Sequence, residues 1–221
     1  MHLPHRQLMT AYWAICIATL AIAGGMVAGY APVEATMGPV QKIFYLHLPV
    51  AVCMFAACIG VFVAAIGYIW QRHERWDHLS LAFAEVSVIL ASIVLVTGMI
   101  WGHHAWGHWW TWSPRLTFSL ILWLLYFVYL MLHRSLQPGH RRAMICAMYG
   151  IVAFIDVPLV YLSVKLLPDI HPSDVQLAPA MRTTLLVCFV PVLLITAGYV
   201  LDRYRHTRPH QFDAAQPAPQ F

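Results

Sequence analysis

Six apolar runs leave this 221-residue chain little choice of architecture. They cover about residues 9–30, 44–70, 80–101, 116–133, 143–166 and 182–201. A hydrocarbon layer of about 30 Å takes roughly 20 apolar residues in a helix. Inside lipid the backbone must also satisfy its own hydrogen bonds, which a helix does. Each run therefore predicts a transmembrane helix, the second long enough to tilt or to project. The connections are short, so neighbouring helices are expected to pack antiparallel. Hydrophobic residues make up 61% of the chain and charged residues 10%, against about 25% charged in soluble domains. The expected fold class is an all-α integral membrane protein with a bundle of six transmembrane helices. One domain is expected over 1–204, followed by a disordered cytoplasmic tail at 205–221 that carries Pro209, Pro217 and Pro219. The first run, about 22 residues long, exceeds a signal-peptide core and reads as the first span.

Orientation follows from the positive residues of the connections. One side holds Arg6, Arg72, Arg75, Arg134, Arg141, Arg142, Arg203, Arg205 and Arg208; the other holds Lys42, Arg115, Lys165 and Arg182. The richer side is expected to be cytoplasmic, with both termini there. Segments 31–43, 101–115 and 167–181 then face outward. The formal charge of +4 is scattered over these connections, so no nucleic-acid partner is expected. Cys16, Cys53, Cys58, Cys146 and Cys188 all fall in apolar runs without Cys-x-x-Cys spacing, and read as small core- or lipid-facing residues.

The second outward segment is the unusual one. Residues 101–117 read WGHHAWGHWWTWSPRLT and hold five of the nine tryptophans: Trp101, Trp106, Trp109, Trp110 and Trp112. His103, His104 and His108 lie among them. Tryptophan also favours the headgroup region, but an interfacial belt spreads a few aromatics over each interface. Here they crowd one connection, punctuated by Gly102 and Gly107, which permit close backbone approach. The pattern predicts a platform for a large flat apolar ligand, with Arg115 placed to meet carboxylates. Haem, bound non-covalently as haem b, fits these demands, since its iron accepts histidine nitrogen. Two histidines on the same predicted side are candidate axial ligands: His47 in YLHLPVA and His171 in DIHPSD. The histidines of the cytoplasmic side (His2, His5, His73, His78, His133, His140, His206 and His210) read as boundary residues.

The string from Trp101 to Thr117 resembles the tryptophan-rich signature of the haem-handling membrane proteins of cytochrome c biogenesis. Within that superfamily the chain is similar to the short six-helix form, cytochrome c maturation protein C. IFYLHLPVA at 43–51 resembles the segment with the family's first haem histidine, which places that role on His47. AEVSVILASIVLVTGMIWG at 84–102 resembles the helix entering the tryptophan segment, and DVPLVYLSV at 156–164, followed by His171, resembles the part carrying the second. The likeness covers roughly residues 40–195. It implies a multi-pass protein of the bacterial inner membrane, with the tryptophan segment on the periplasmic side. It further implies a carrier, not an enzyme, that hands haem to a periplasmic haem chaperone, cytochrome c maturation protein E. The implied complex includes the ATP-binding cassette subunits A and B and the small protein D. The chain departs from the pattern at Ser113, where the family has Asp, at Leu166 and Leu167 in place of two tryptophans, and at Asp156 in place of Asn.

Two other function classes compete. A haem subunit exchanging electrons with quinone usually carries paired histidines inside the bundle, and no histidine lies near the middle of a run. A transporter without haem expects polar groups at mid-membrane, for which Asp156 and Pro158 are the hint. Glu85 lies about one turn from the end of its run, and snorkelling accounts for it.

Overall fold

The computed structural model describes residues 5–166 and 177–207. Helix α1 (His5–Gly25) runs on through a π-helical turn at Met26–Tyr30. A 3-10 turn, Pro39–Ile43, leads into α2 (Phe44–Gln71), followed by α3 (Glu74–Trp106), α4 (Pro114–Ser135), α5 (His140–Ala153), α6 (Asp156–Leu166) and α7 (Pro179–Thr207). Six helical stretches are long and apolar enough to cross a membrane, α5 and α6 together forming the fifth. The all-helical architecture read from the six runs is the one observed.

Three details differ from the sequence reading. First, α3 is 33 residues long, about 50 Å at the helical rise, so it outruns a hydrocarbon layer of about 30 Å. The predicted span at 80–101 captures only its apolar middle. Second, the fifth run is broken. Pro158 lacks an N–H, and its ring crowds the carbonyl four residues back, that of Phe154. The chain responds with two tightened bonds, Ile155 N–H to Val152 O (3.1 Å) and Val157 N–H to Phe154 O (3.1 Å). Third, α7 carries the chain through Thr207, so the first three residues of the predicted 205–221 tail are helical. The remainder, 208–221, lies outside the described residues.

Helix α2 runs through the middle of the core: Cys58, Val61, Ala64 and Ala65 are wholly buried. Its packing on α3 has a legible register. A Cβ at Gly60 would come within 2.6 Å of the Phe83 ring, and one at Gly67 within 2.6 Å of the Trp76 indole. Advancing seven residues on α2 therefore retreats seven on α3, the antiparallel pairing that a heptad spacing supports. Continued toward the other end of the pair, this register sets Leu46 and His47 opposite Thr97 and Gly98.

Two buried carboxylates in the helices, Glu85 and Asp77, are paired across elements. Glu85 does not snorkel: it is 7% exposed and takes a two-pronged ion pair from Arg203 of α7, with Nε on one oxygen and Nη2 on the other at 2.8 Å. At the same end of the bundle, Asp77 of α3 accepts from Arg142 of α5 (3.1 Å) and pairs with His133 of α4 (3.2 Å). His133 is thus a buried clamp residue, not the boundary histidine its position implied. Asp156, 6% exposed, has one oxygen without a hydrogen-bond partner among the described residues. All five cysteines are buried free thiols. At the opposite end, the turn before α2 is held by Glu34, whose carboxylate accepts the N–H groups of Met37 (2.5 Å) and Thr36 (2.9 Å). Those donors hold its carboxyl below the usual carboxylate range.

Candidate functional site

The tryptophan segment is half helix and half connection. Trp101, Gly102 and Trp106 lie in the last turns of α3. Gly107 ends the helix in the left-handed region (φ 77°), its N–H donating to the His103 carbonyl. That conformation carries a steric cost for residues with a Cβ, which accounts for glycine here. Trp109, Trp110 and Trp112 follow in the short connection to α4, and Arg115 sits in the first turn of α4 behind Ser113 and Pro114. The sequence reading made all of 101–115 a loop. The helix persists because 101–106 contain no proline and only one glycine, and Gly102 is placed where the Trp106 ring passes over it. A Cβ at Gly102 would meet that ring at 3.2 Å.

The indoles do not form one flat floor. Trp101 and Trp106 meet edge to face (centroids 5.1 Å apart, planes at 85°), and so do Trp110 and Trp112 (5.7 Å, 81°). Edge-to-face contact suits the ring quadrupoles. Trp109 instead stacks on the imidazole of His103, with centroids 4.2 Å apart and planes within 5°. Trp109 remains 58% exposed and Trp112 75%. The segment therefore holds two packed aromatic pairs and turns apolar indole surface outward.

Under the connection lies a shallow hollow, bordered by Gly98, Met99, Gly102, Trp106, Trp110 and Leu116 among others. Four buried polar atoms of the segment have no hydrogen-bond partner among the described residues: Trp110 Nε1 and Thr111 Oγ1, whose residues border the hollow, and His103 Nδ1 and Ser113 Oγ. Such orphans are rare in folded proteins, because each costs about 1–3 kcal/mol of uncompensated desolvation. Four of them lie within eleven residues of the tryptophan segment.

His47 belongs to this end of the bundle. It sits in the first turn of α2, and its Cε1 would lie 3.4 Å from a Cβ on Gly98. Gly98 therefore borders both the hollow and the imidazole. The His47 Nδ1 is 2.8 Å from the hydroxyl of Thr97, and the charge of Arg115 is close enough to act on the ring. The structure thus brings together Trp101, Gly102, Trp106, Gly107, Trp109, Trp110, Trp112, Arg115 and His47. His171 lies outside the described residues. Leu177, beyond it in the chain, packs against a buried cluster of Ala23, Ala31, Tyr45, Met181, Leu185 and Cys188, against which Phe44 and Leu48 of α2 also pack.

Sequence reasoning missed Thr97, Gly98 and the stacking role of His103. A signal for Gly98 was present. Gly98 and Gly102 stand four apart, the small-x-x-x-small spacing that lets groups approach a membrane helix closely. Among the described residues no three His, Cys, Asp or Glu side chains converge as a metal-binding set, and no histidine occupies the middle of a span.

Comparison with known proteins adds an independent line. Residues 4–213 match the family model described as Heme exporter protein C. The Heme exporter protein C of Escherichia coli K12 is 30% identical over 184 residues, covering 80% of this chain and 74% of the relative. That of Haemophilus influenzae is 30% identical over 199 residues, covering 85% and 80%. That of Paracoccus denitrificans is 29% identical over 192 residues, covering 86% and 79%. With six membrane-crossing helices and nearly its whole length matched, the chain belongs to the heme exporter protein C family.

Proposed function

We propose that this multi-pass membrane protein serves haem export for cytochrome c biogenesis, binding haem b non-covalently at the tryptophan end of its bundle and passing it on. The observation that carries the reading is the meeting of His47 with the tryptophan segment. The His47 imidazole lies with Cε1 against Gly98, which also borders a hollow lined by Trp106, Trp109 and Trp110. The donor set suits the cargo. Imidazole nitrogen ligates haem iron, the outward faces of Trp109 and Trp112 offer apolar contact to a macrocycle, and Arg115 meets propionate charge. Gly102 and Gly107 shape the segment that presents these groups. His171 is the second axial ligand in this reading, supported by the resemblance of DVPLVYLSV at 156–164 and the residues after it to the family segment that carries the second haem histidine.

The loop charges support a periplasmic position for this end in the bacterial inner membrane, with both termini cytoplasmic. The acceptor is then a periplasmic haem chaperone, cytochrome c maturation protein E. The ATP-binding cassette subunits A and B and the small protein D are the membrane partners. The exposed indoles of Trp109 and Trp112 allow an acceptor to reach haem without unfolding the bundle.

The test is transfer. Haem-loaded protein in detergent is mixed with purified haem-free chaperone, and haem covalently attached to the chaperone is read on a denaturing gel. The expected result is haem appearing on the chaperone as the membrane protein's Soret band falls. Protein that never carries haem when made in haem-replete cells would overturn the reading. So would haem that stays put in the presence of the acceptor.

A further inference from the structure

The hydroxyl of Thr97 stands between its own helix and His47. Its Oγ1 lies 2.7 Å from the Ile93 carbonyl and 3.2 Å from the Val94 carbonyl one turn back on α3, and 2.8 Å from Nδ1 of His47. A hydroxyl has one hydrogen to give. A carbonyl has none, so the contacts to the Ile93 and Val94 carbonyls are hydrogen bonds only when the hydrogen of Thr97 points to its own helix. The contact with His47 is then a hydrogen bond only if His47 supplies the proton, from Nδ1–H to Oγ1. The opposite arrangement, with Thr97 donating to a bare Nδ1, leaves the Ile93 contact without a hydrogen. Both bonds form together in one arrangement, and in the neutral ring it fixes Nε2 as the nitrogen with the lone pair. Gly98 adds the steric half. It lets Cε1 approach α3 at a contact distance, so the ring is held on one side by packing and at Nδ1 by a directed bond. The α2–α3 register places both residues there, since the pairing of Gly60 with Phe83 and Gly67 with Trp76 continues to this turn.

We infer that Thr97 is a positioning residue for haem binding: its hydroxyl oxygen accepts the His47 Nδ1–H, locks the tautomer that exposes the Nε2 lone pair, and sets the ring's rotation. The inference rests on the reading of His47 as an iron ligand. Ligating histidines commonly donate their second N–H to an acceptor, which orients the ring and raises its basicity. Here that acceptor is a hydroxyl already committed to its own helix, so it cannot reverse the bond without losing one.

The experiment compares wild type, Thr97→Val, Thr97→Ser and His47→Ala by titration with hemin in detergent, followed by measurement of the haem midpoint potential. Valine keeps the shape of threonine and removes the acceptor, whereas serine keeps it. Thr97→Val is expected to weaken hemin binding by roughly tenfold or more and to move the potential to more positive values, because the ring loses basicity. Thr97→Ser is expected to restore both, and melting temperatures should be alike, since the helix of Thr97 needs no side-chain bond. His47→Ala separates the two layers of the argument. If it leaves hemin binding and potential unchanged, His47 is not a ligand, and the inference falls with that reading. If it abolishes binding while Thr97→Val matches wild type in affinity and potential, the ligand assignment survives and the positioning role is wrong.

Discussion

Gly98→Leu is expected to cost the purified protein most of its haem, whereas Gly98→Ala is expected to keep it. The difference is a matter of ångströms. A Cβ at position 98 would sit 3.4 Å from His47 Cε1, an ordinary contact that alanine satisfies. Leucine adds three more carbons at a place where the imidazole and the hollow under the tryptophans already meet. The ring must rotate away, and Nδ1 leaves the Thr97 hydroxyl. Soret absorbance per mole of protein should fall by roughly tenfold or more for leucine, with little change for alanine. A leucine variant with wild-type haem content would show that the first turn of α2 does not face the ligand.

The second large effect lies at the other end of the bundle and concerns stability. Asp77, 5% exposed, is the shared partner of His133, 6% exposed, and of Arg142. One carboxylate thus ties the first turn of α3 to the last turn of α4 and the first turn of α5. Asp77→Ala strands a half-buried guanidinium beside a buried imidazole. Removing one partner of a buried ion pair typically costs about 3–5 kcal/mol, since the remaining charge stays desolvated. Thermal unfolding in detergent should show that loss. Asp77→Asn, which keeps an oxygen acceptor without the charge, should fall between. Helix α3 separates Asp77 from the tryptophan segment by most of its length of about 50 Å, so haem content per folded molecule should not change. Unaltered stability in Asp77→Ala would mean that water reaches the cluster and screens it.

These two sites differ in how much of each could be read from sequence. The helices were legible because lipid imposes a length rule on apolar runs, and six runs obeyed it. The tryptophan segment stood out by residue type alone. Its backbone did not: the change from lipid to water hides where α3 ends, since Trp101–Trp106 continue the helix after the apolar run stops. His47 could be assigned a side from charge counts, but not a neighbour. That neighbour comes from the α2–α3 register, which depends on aromatic rings lying on Gly60 and Gly67 and cannot be read from either helix alone. The same holds for Glu85 and Arg203, 118 residues apart, and for His133. Their partners are brought by packing, so each looked like an ordinary residue near a membrane boundary. The broken fifth span was foreshadowed by Pro158, because a missing N–H is a local property.

The central claim is that haem iron is ligated by His47 at the tryptophan end of the bundle, with His171 opposite. Electron paramagnetic resonance of the ferric protein tests it most directly, comparing wild type with His47→Ala and His171→Ala. Two imidazole ligands should give wild type a low-spin ferric signal, and each substitution should convert it to high spin or remove the haem. A wild-type low-spin signal that persists unchanged in both variants would contradict the account.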